Sequence, residues 1–344
     1  MKKHLIAAAV AAAVVAPAAM AQNVSISGVM DVGYQSRDIA GTGAKAGDSV
    51  RNNAVNDNMV ATPTISFQGT EDLGGGLKAS FRIAQEFDVA TGAMTDGGAS
   101  FTYANVGLSG NFGAATLGRF SHATRDAGGV YRFFGDIGRL ASTLNSGARN
   151  SSGIQYVSPT IGGFSLSVAE SDTGKTSTDA EADARLRSVG IRGSVAGLNV
   201  SVGQETEKNS AGGKTIDLLT VAIGYDFKVA KVGVVYADND RTVAVSGTTK
   251  IDATGVHVAV PLSGGWTVGG NFTKYDSDTT NGSTDVITLA ARYDLSKRTA
   301  IFASYQQVDA DAVAAGITST RGMGVGEVAG KKTDGFGISV VHNF

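Results

Sequence analysis

The sequence predicts an all-β protein, a sixteen-stranded antiparallel transmembrane β-barrel with short periplasmic turns and long outer loops. Three observations carry that expectation. Segments of about ten residues alternate apolar and polar side chains with period two, the length a tilted strand needs to cross a bilayer. The connections alternate between one to four residues and mostly ten or more, which places short turns at one end and long loops at the other. After the N-terminal stretch, no apolar run reaches the roughly 18 residues of a membrane helix.

Residues 1–21 read as a cleaved secretory signal. Lys2 and Lys3 supply the charged start, Leu5 to Val15 the apolar run, and Ala19-Met20-Ala21 the small-x-small cleavage site. Residues 22–344 then form the barrel domain. In the first strand, 24–34, Val24, Ile26, Met30 and Val32 share one face, while Ser25, Ser27 and Asp31 take the other. A polar stretch at 35–61 reads as a loop, and alternation resumes at 62–71. Segment 77–87 sets Leu77, Ala79, Phe81, Ile83 and Phe87 opposite Lys78, Ser80, Arg82 and Glu86.

The same pattern continues at 100–109, 113–119, 151–158, 162–170, 185–194, 197–204, 216–227 and 229–237. It ends with 252–260, 264–274, 285–293, 298–307 and 335–344. Loops fall at 88–99, 171–184, 205–215, 238–251, 275–284 and 308–334, the last carrying the glycine-rich Gly322 to Gly326 as a flexible segment.

Which face is apolar decides between a soluble sheet and a membrane one. A ring of this size leaves an aqueous channel that apolar side chains would not fill. The aliphatic face must therefore meet lipid, with Tyr34, Phe87, Tyr225, Phe227, Tyr236, Trp266, Tyr293 and Phe344 as interfacial aromatics. The composition agrees: 47 glycines and 4 prolines suit curved strands and tight turns, and the absence of cysteine leaves a closed sheet to stabilise an exported chain. A formal charge of −2 gives no electrostatic basis for nucleic-acid binding.

The longest uninterrupted exception to alternation is 120–150. It carries Arg125, Arg132, Arg139 and Arg149 against Asp126 and Asp136, with Tyr131, Phe133 and Phe134 between them. A loop of this length with aromatics and balanced charge is expected to pack, so it is placed inside the barrel mouth, narrowing it. Alternation puts Lys78, Arg82, Arg119, Arg149, Arg192 and Arg292 on the lumen face. Arg82, Arg119 and Arg149, with Arg132 of the loop, are the expected constriction cations, and Asp126 and Asp136 the opposing acidic side. The excess of arginine predicts a mild anion preference.

Nothing in the chain suggests an enzyme or a cofactor. The histidines beyond the leader are His122, His257 and His342; His257 is expected to face the lumen alone, and no nucleophile motif surrounds any of them. Asp276, Asp278, Asn281 and Asp285 only loosely resemble a calcium loop and lack its closing glutamate.

Several segments together resemble a known family: SISGVMDVGY, GTEDLGGGLKASFRIAQEF, VGLSGNFGAATLGRF, RNSSGIQYVSPTIGGFSLSVAE, ARYDLSKRTAIFASYQ and the final Phe344. The chain resembles the general porins of the Gram-negative outer membrane, of the β-proteobacterial type. That resemblance implies a homotrimer of barrels in outer-membrane lipid and lipopolysaccharide, each with its third outer loop folded into the pore. It implies passive passage of ions and small hydrophilic solutes, with a solute-specific channel or a non-transport surface barrel as the alternatives. It also implies that Phe344 helps the barrel-assembly machinery recognise the chain. The family's strand ending in VGLSGNFG often begins with arginine and glutamine; here Thr102 and Tyr103 stand there.

Overall fold

The computed structural model describes residues 23–41, 47–94, 101–140, 144, 150–172, 185–208, 214–243, 247–278, 281–311 and 323–344. Residues 1–21 and Arg149 lie outside them. The first strands are β1 (Asn23–Ala40), β2 (Ser49–Asp57), β3 (Thr64–Gly74), β4 (Leu77–Glu86), β5 (Tyr103–Gly110) and β6 (Gly113–Phe120). A short helix, α1 (Ala123–Ala127), follows. Then come β7 (Asn150–Val157), β8 (Phe164–Asp172), β9 (Arg185–Val195), β10 (Leu198–Lys208), β11 (Lys214–Asp226) and β12 (Lys231–Val243). The last are β13 (Gly247–Pro261), β14 (Trp266–Ser277), β15 (Gly282–Asp294), β16 (Thr299–Ala310) and β17 (Lys331–Asn343).

All of them belong to one antiparallel sheet that β1 closes by pairing with β17, from Val29 opposite Asn343 to Arg37 opposite Gly335. The sheet holds seventeen strands, but β2 and β3 share one position in the wall. The lower half of β1 pairs with β3 and its upper half with β2. Seventeen strands with two in one position give sixteen wall positions, as the alternation predicts.

β2 corrects the reading of 35–61 as loop. Its sequence, SVRNNAVND, has no apolar face because it stands above the lipid band, where both faces are wet. The same cause extends β1 to Ala40, β12 to Val243 and β13 back to Gly247, well past the ends that apolar alternation marks. The break between β2 and β3 is held by Asp31, whose Oδ2 accepts the N–H groups of Val60 at 2.6 Å and Ala61 at 2.9 Å.

The apolar face points outward. Leu289 is 57% exposed and Ile338 56%, whereas their polar neighbours Thr288 and Ser339 are buried. A large apolar side chain left that open in water would forgo about 1.5–3 kcal/mol of burial, so only lipid suits this surface. Aromatic pairs cluster at the turn end, with Tyr225 against Phe227 at 4.6 Å and Trp266 against Tyr293 at 4.8 Å. Among the described residues, the extensive apolar cluster lies inside the ring. There Tyr131, Phe134, Ile137 and Leu140 of the long loop pack on Ala222, Val235, Ala259 and Ala290 of the wall.

Gly322 lies outside the described residues, but residues 323–326 are not the flexible stretch their glycines suggest. Met323, Val325, Glu327 and Val328 are buried against the wall. Arg37 Nη1 donates to the Met323 carbonyl at 2.9 Å, and the Gly326 N–H to the Asp38 carbonyl at 2.7 Å. Gly326 is there for close approach, since a Cβ would stand 2.5 Å from the Ala40 nitrogen.

Candidate functional site: the loop-narrowed lumen

The inner wall is shaped to receive the loop that leaves β6. At its root, the Ala123 N–H donates to Ser188 Oγ at 2.9 Å, and the Thr124 N–H and hydroxyl both donate to the buried Glu205 carboxylate. Beneath them lie Gly190 of β9 and Gly203 of β10. A Cβ on either would meet Ala123 at 2.5 Å, so no other residue leaves room for the chain. His122 stacks on Phe120 at 5.4 Å, and its Nε2 meets Ser171 Oγ at 3.1 Å.

Further along, Val130 and Tyr131 cross Gly224 and Gly233, and Phe134 crosses Gly269. Tyr131 meets His257 edge-on at 4.6 Å, and its hydroxyl accepts the Leu140 N–H at 3.0 Å. His257 thus faces inward as alternation predicts, but it does not stand alone. Gly135 and Gly138 take positive φ of 66° and 73°, which L side chains rarely adopt. Those turns bring the Asp136 N–H to the Val60 carbonyl at 2.6 Å. The loop therefore spans the lumen from β9 and β10 to the break between β2 and β3.

What remains open is a cavity of about 680 Å³ along the β1, β3, β4 and β5 wall and a second of about 480 Å³ under the loop. Arg132 and Gly129 line both, so Arg132 stands between the two cavities. Arg82, Arg125 and Arg132 face the larger cavity, against Glu86 and Asp136. Arg132 Nη1 donates to Asp136 at 2.9 Å and its Nε to the Gly128 carbonyl at 2.8 Å. Arg139 lies 3.8 Å from the same Asp136. Arg82 differs: its Cζ lies 4.0 Å over the Tyr103 ring, its Nε donates to Ser66 Oγ at 3.4 Å, and it makes no ion pair with any described residue.

Of the residues selected from sequence, Arg82, Arg132 and Asp136 meet at one cavity. Asp126 does not join them. It faces the β9 wall, where Arg192 Nη1 approaches at 3.5 Å. Burial holds its carboxyl above the usual range, against the pull of Arg192, Arg125 and Arg132. Arg119 is not among the residues lining the larger cavity; it stands opposite Ala104, two residues past the exposed Leu117, so unbroken alternation sets it on the outward face and not the lumen face. Phe344 exchanges backbone hydrogen bonds with Gly28 at 3.0 and 3.1 Å.

Glu86, Tyr103 and Arg125 were not selected from sequence. Glu86 was open to selection, being four residues past Arg82 on the same strand face; Arg125 had no such signal. Burial pushes the loop's His122 down to about 4 and its Tyr131 up to about 12. The calcium-like spacing makes no site: Asp276 and Asp285 stand on different strands, with Asp276 taken by Lys274 at 3.0 Å.

A closed sheet with a lipid-facing exterior and a charged, loop-narrowed interior defines a membrane channel. The particular class follows from comparison with known proteins. Residues 7–313 match the Gram-negative porin family, and the chain belongs to it. It is 31% identical over 369 residues to outer membrane porin protein 32 of Delftia acidovorans, covering 100% of both chains. It is 28% identical to the major outer membrane protein P.IB of Neisseria meningitidis serogroup B, over 88% of this chain and 92% of that one. Its fold superposes on the anion-selective porin from Comamonas acidovorans with a TM-score of 0.81 and 25% identity, covering 94% and 100% of the two chains. The protein is an outer-membrane porin, a water-filled channel for ions and small hydrophilic solutes.

Proposed function

We propose that this porin is a general diffusion channel with a mild preference for anions, that it performs no catalysis, and that it works as a homotrimer after removal of residues 1–21. The observation that carries the preference is the state of the charges around the larger cavity. Asp136 is shared by Arg132 and Arg139, and Asp126 is drawn to Arg192, whereas Arg82 makes no ion pair with any described residue. A low-dielectric wall focuses such a field onto the passage. The anion selectivity named for the Comamonas acidovorans porin supports the same sign. A solved relative from Vibrio cholerae described in a trimer form supports the assembly. Phe344, beside Gly28 at the barrel's seam, suits a role in assembly.

The test is the reversal potential of the purified protein in a planar bilayer under a potassium chloride gradient. A chloride-signed value that weakens in Arg82→Ser supports the reading. A cation-signed value removes it.

A further inference from the structure

The charge on Arg82 is held in an unusual way. Its guanidinium carbon lies 4.0 Å over the Tyr103 ring, and the tyrosine hydroxyl is tied to Ser121 Oγ at 2.8 Å, at the start of the constriction loop. Nε is spent on Ser66. No other described residue accepts from Arg82, so both terminal nitrogens remain available on a side chain that lines the cavity. The ring covers one side of the guanidinium, and ring and Ser66 together restrict where the fork can point. The carboxylates nearby do not compete for it, since Asp136 is paired and Glu86 is buried with a partner of its own.

We propose that Arg82, over Tyr103, is a weak binding station for a small oxyanion, a carboxylate or inorganic phosphate, rather than a source of field alone. This rests on the anion-preferring reading and goes beyond it. A planar fork restricted in this way matches two oxygens held on one centre, and a single spherical chloride cannot engage it in that way. Arg125 and Arg132, on the same cavity, add attraction from the loop side. Tyr103 is a positioning residue: it touches the guanidinium and restricts where the fork points. A station in a conducting pore must also release its ion, so the affinity expected is about millimolar.

The experiment records chloride conductance of the full protein in planar bilayers as potassium phosphate, and separately potassium acetate, is added. The expected result is a conductance that falls along a saturating curve with at least one oxyanion, and the one that saturates identifies the ligand. Arg82→Lys, which keeps a charge and loses the fork, is expected to raise half-saturation about tenfold. Tyr103→Leu is expected to do the same, and Tyr103→Phe, which keeps the ring, to restore most of the binding. Lys332→Ser, at the outer rim, serves as the unchanged control. Saturation by neither oxyanion overturns the station, as does an unaltered curve in Arg82→Lys. The parent's reversal potential, read in the same bilayer, separates the two levels. A chloride sign without saturation removes the station alone, and a cation sign removes the anion preference beneath it.

Discussion

The wall formed by β1, β3, β4 and β5 and the wall formed by β9 to β14 follow the same outward rule, yet turn different chemistry inward. The first presents Ser27, Thr64, Ser66, Arg82, Glu86 and Tyr103 to the larger cavity. The second presents glycine and alanine, on which Tyr131, Phe134, Ile137 and Leu140 are buried. One lumen therefore contains an open half and a half largely covered by a protein core, with the second cavity beneath that core. The described part of the narrowing loop is thus held by buried side chains as well as at its root.

The sharpest way to break this contrast is to fill the glycine floor. Gly203→Val meets the Ala123 and Thr124 backbone, which cannot move aside as a side chain could. An overpacking cost of about 3 kcal/mol is expected at the loop root. Single-channel conductance should rise as the loop lifts, and the loop should become open to protease. Tyr131→Ala comes next. It removes a fully buried ring, its contact with His257 and the acceptor for Leu140, a loss of about 3–5 kcal/mol in seating. Conductance should again rise, while the reversal potential shifts less than in Arg82→Ser, because the charged half is left in place.

A smaller effect comes from pH. His122 is neutral when the loop root is docked, with a pKa of about 4, and titrates near 6.5 when released. The released state thus binds one more proton between these values, so docking weakens as pH falls from about 6.5 to about 4. Asp126, raised by burial, acts in the opposite sense: its contribution is lost as pH rises above the ordinary carboxylate range. Channel conductance titrated from pH 7 to 4 should drift as docking weakens, and His122→Asn should flatten the drift. The smallest effect is expected at the rim. Lys332→Ala breaks an exposed pair with Asp309 at 2.9 Å and should leave conductance and detergent stability unchanged within error, since such pairs are solvent-screened.

The open half was the more legible in sequence. Arg82 sits on a strand whose outward Phe81 and Ile83 fix its direction, and the structure places it on the lumen as that phase requires. The strand count was legible for the same reason, since lipid imposes alternation wherever it touches the wall. Legibility ends where lipid does. In β2 the polar residues on both faces erased the signal, although the backbone pairing continues. At Arg119 the phase itself argues against the lumen, since the exposed Leu117 two residues earlier shares its face. The packed half was read only in outline. The aromatics of 120–150 indicated that the loop folds inward. Which charge meets which partner depends on where the loop docks, and Asp126 went to Arg192 for that reason. The glycines at 190, 203, 224 and 233 look like strand irregularities in one dimension and become a floor only once the ring closes.

The pairing of β1 with β17 sets a folding order. Each remaining ladder joins strands that are neighbours in sequence or nearly so, and can form hairpin by hairpin. The closing ladder joins Val29 to Asn343 and Arg37 to Gly335, so its contacts span almost the whole chain. Its loop-closure entropy must be met before any of its hydrogen bonds form, which makes it the slow, late step. Until that step both edges stay unpaired, and an open sheet edge is not tolerated in hydrocarbon. The reciprocal bonds between Gly28 and Phe344 lie at the end of that seam. Residues at opposite ends of the strand order thus turn a ribbon into a pore.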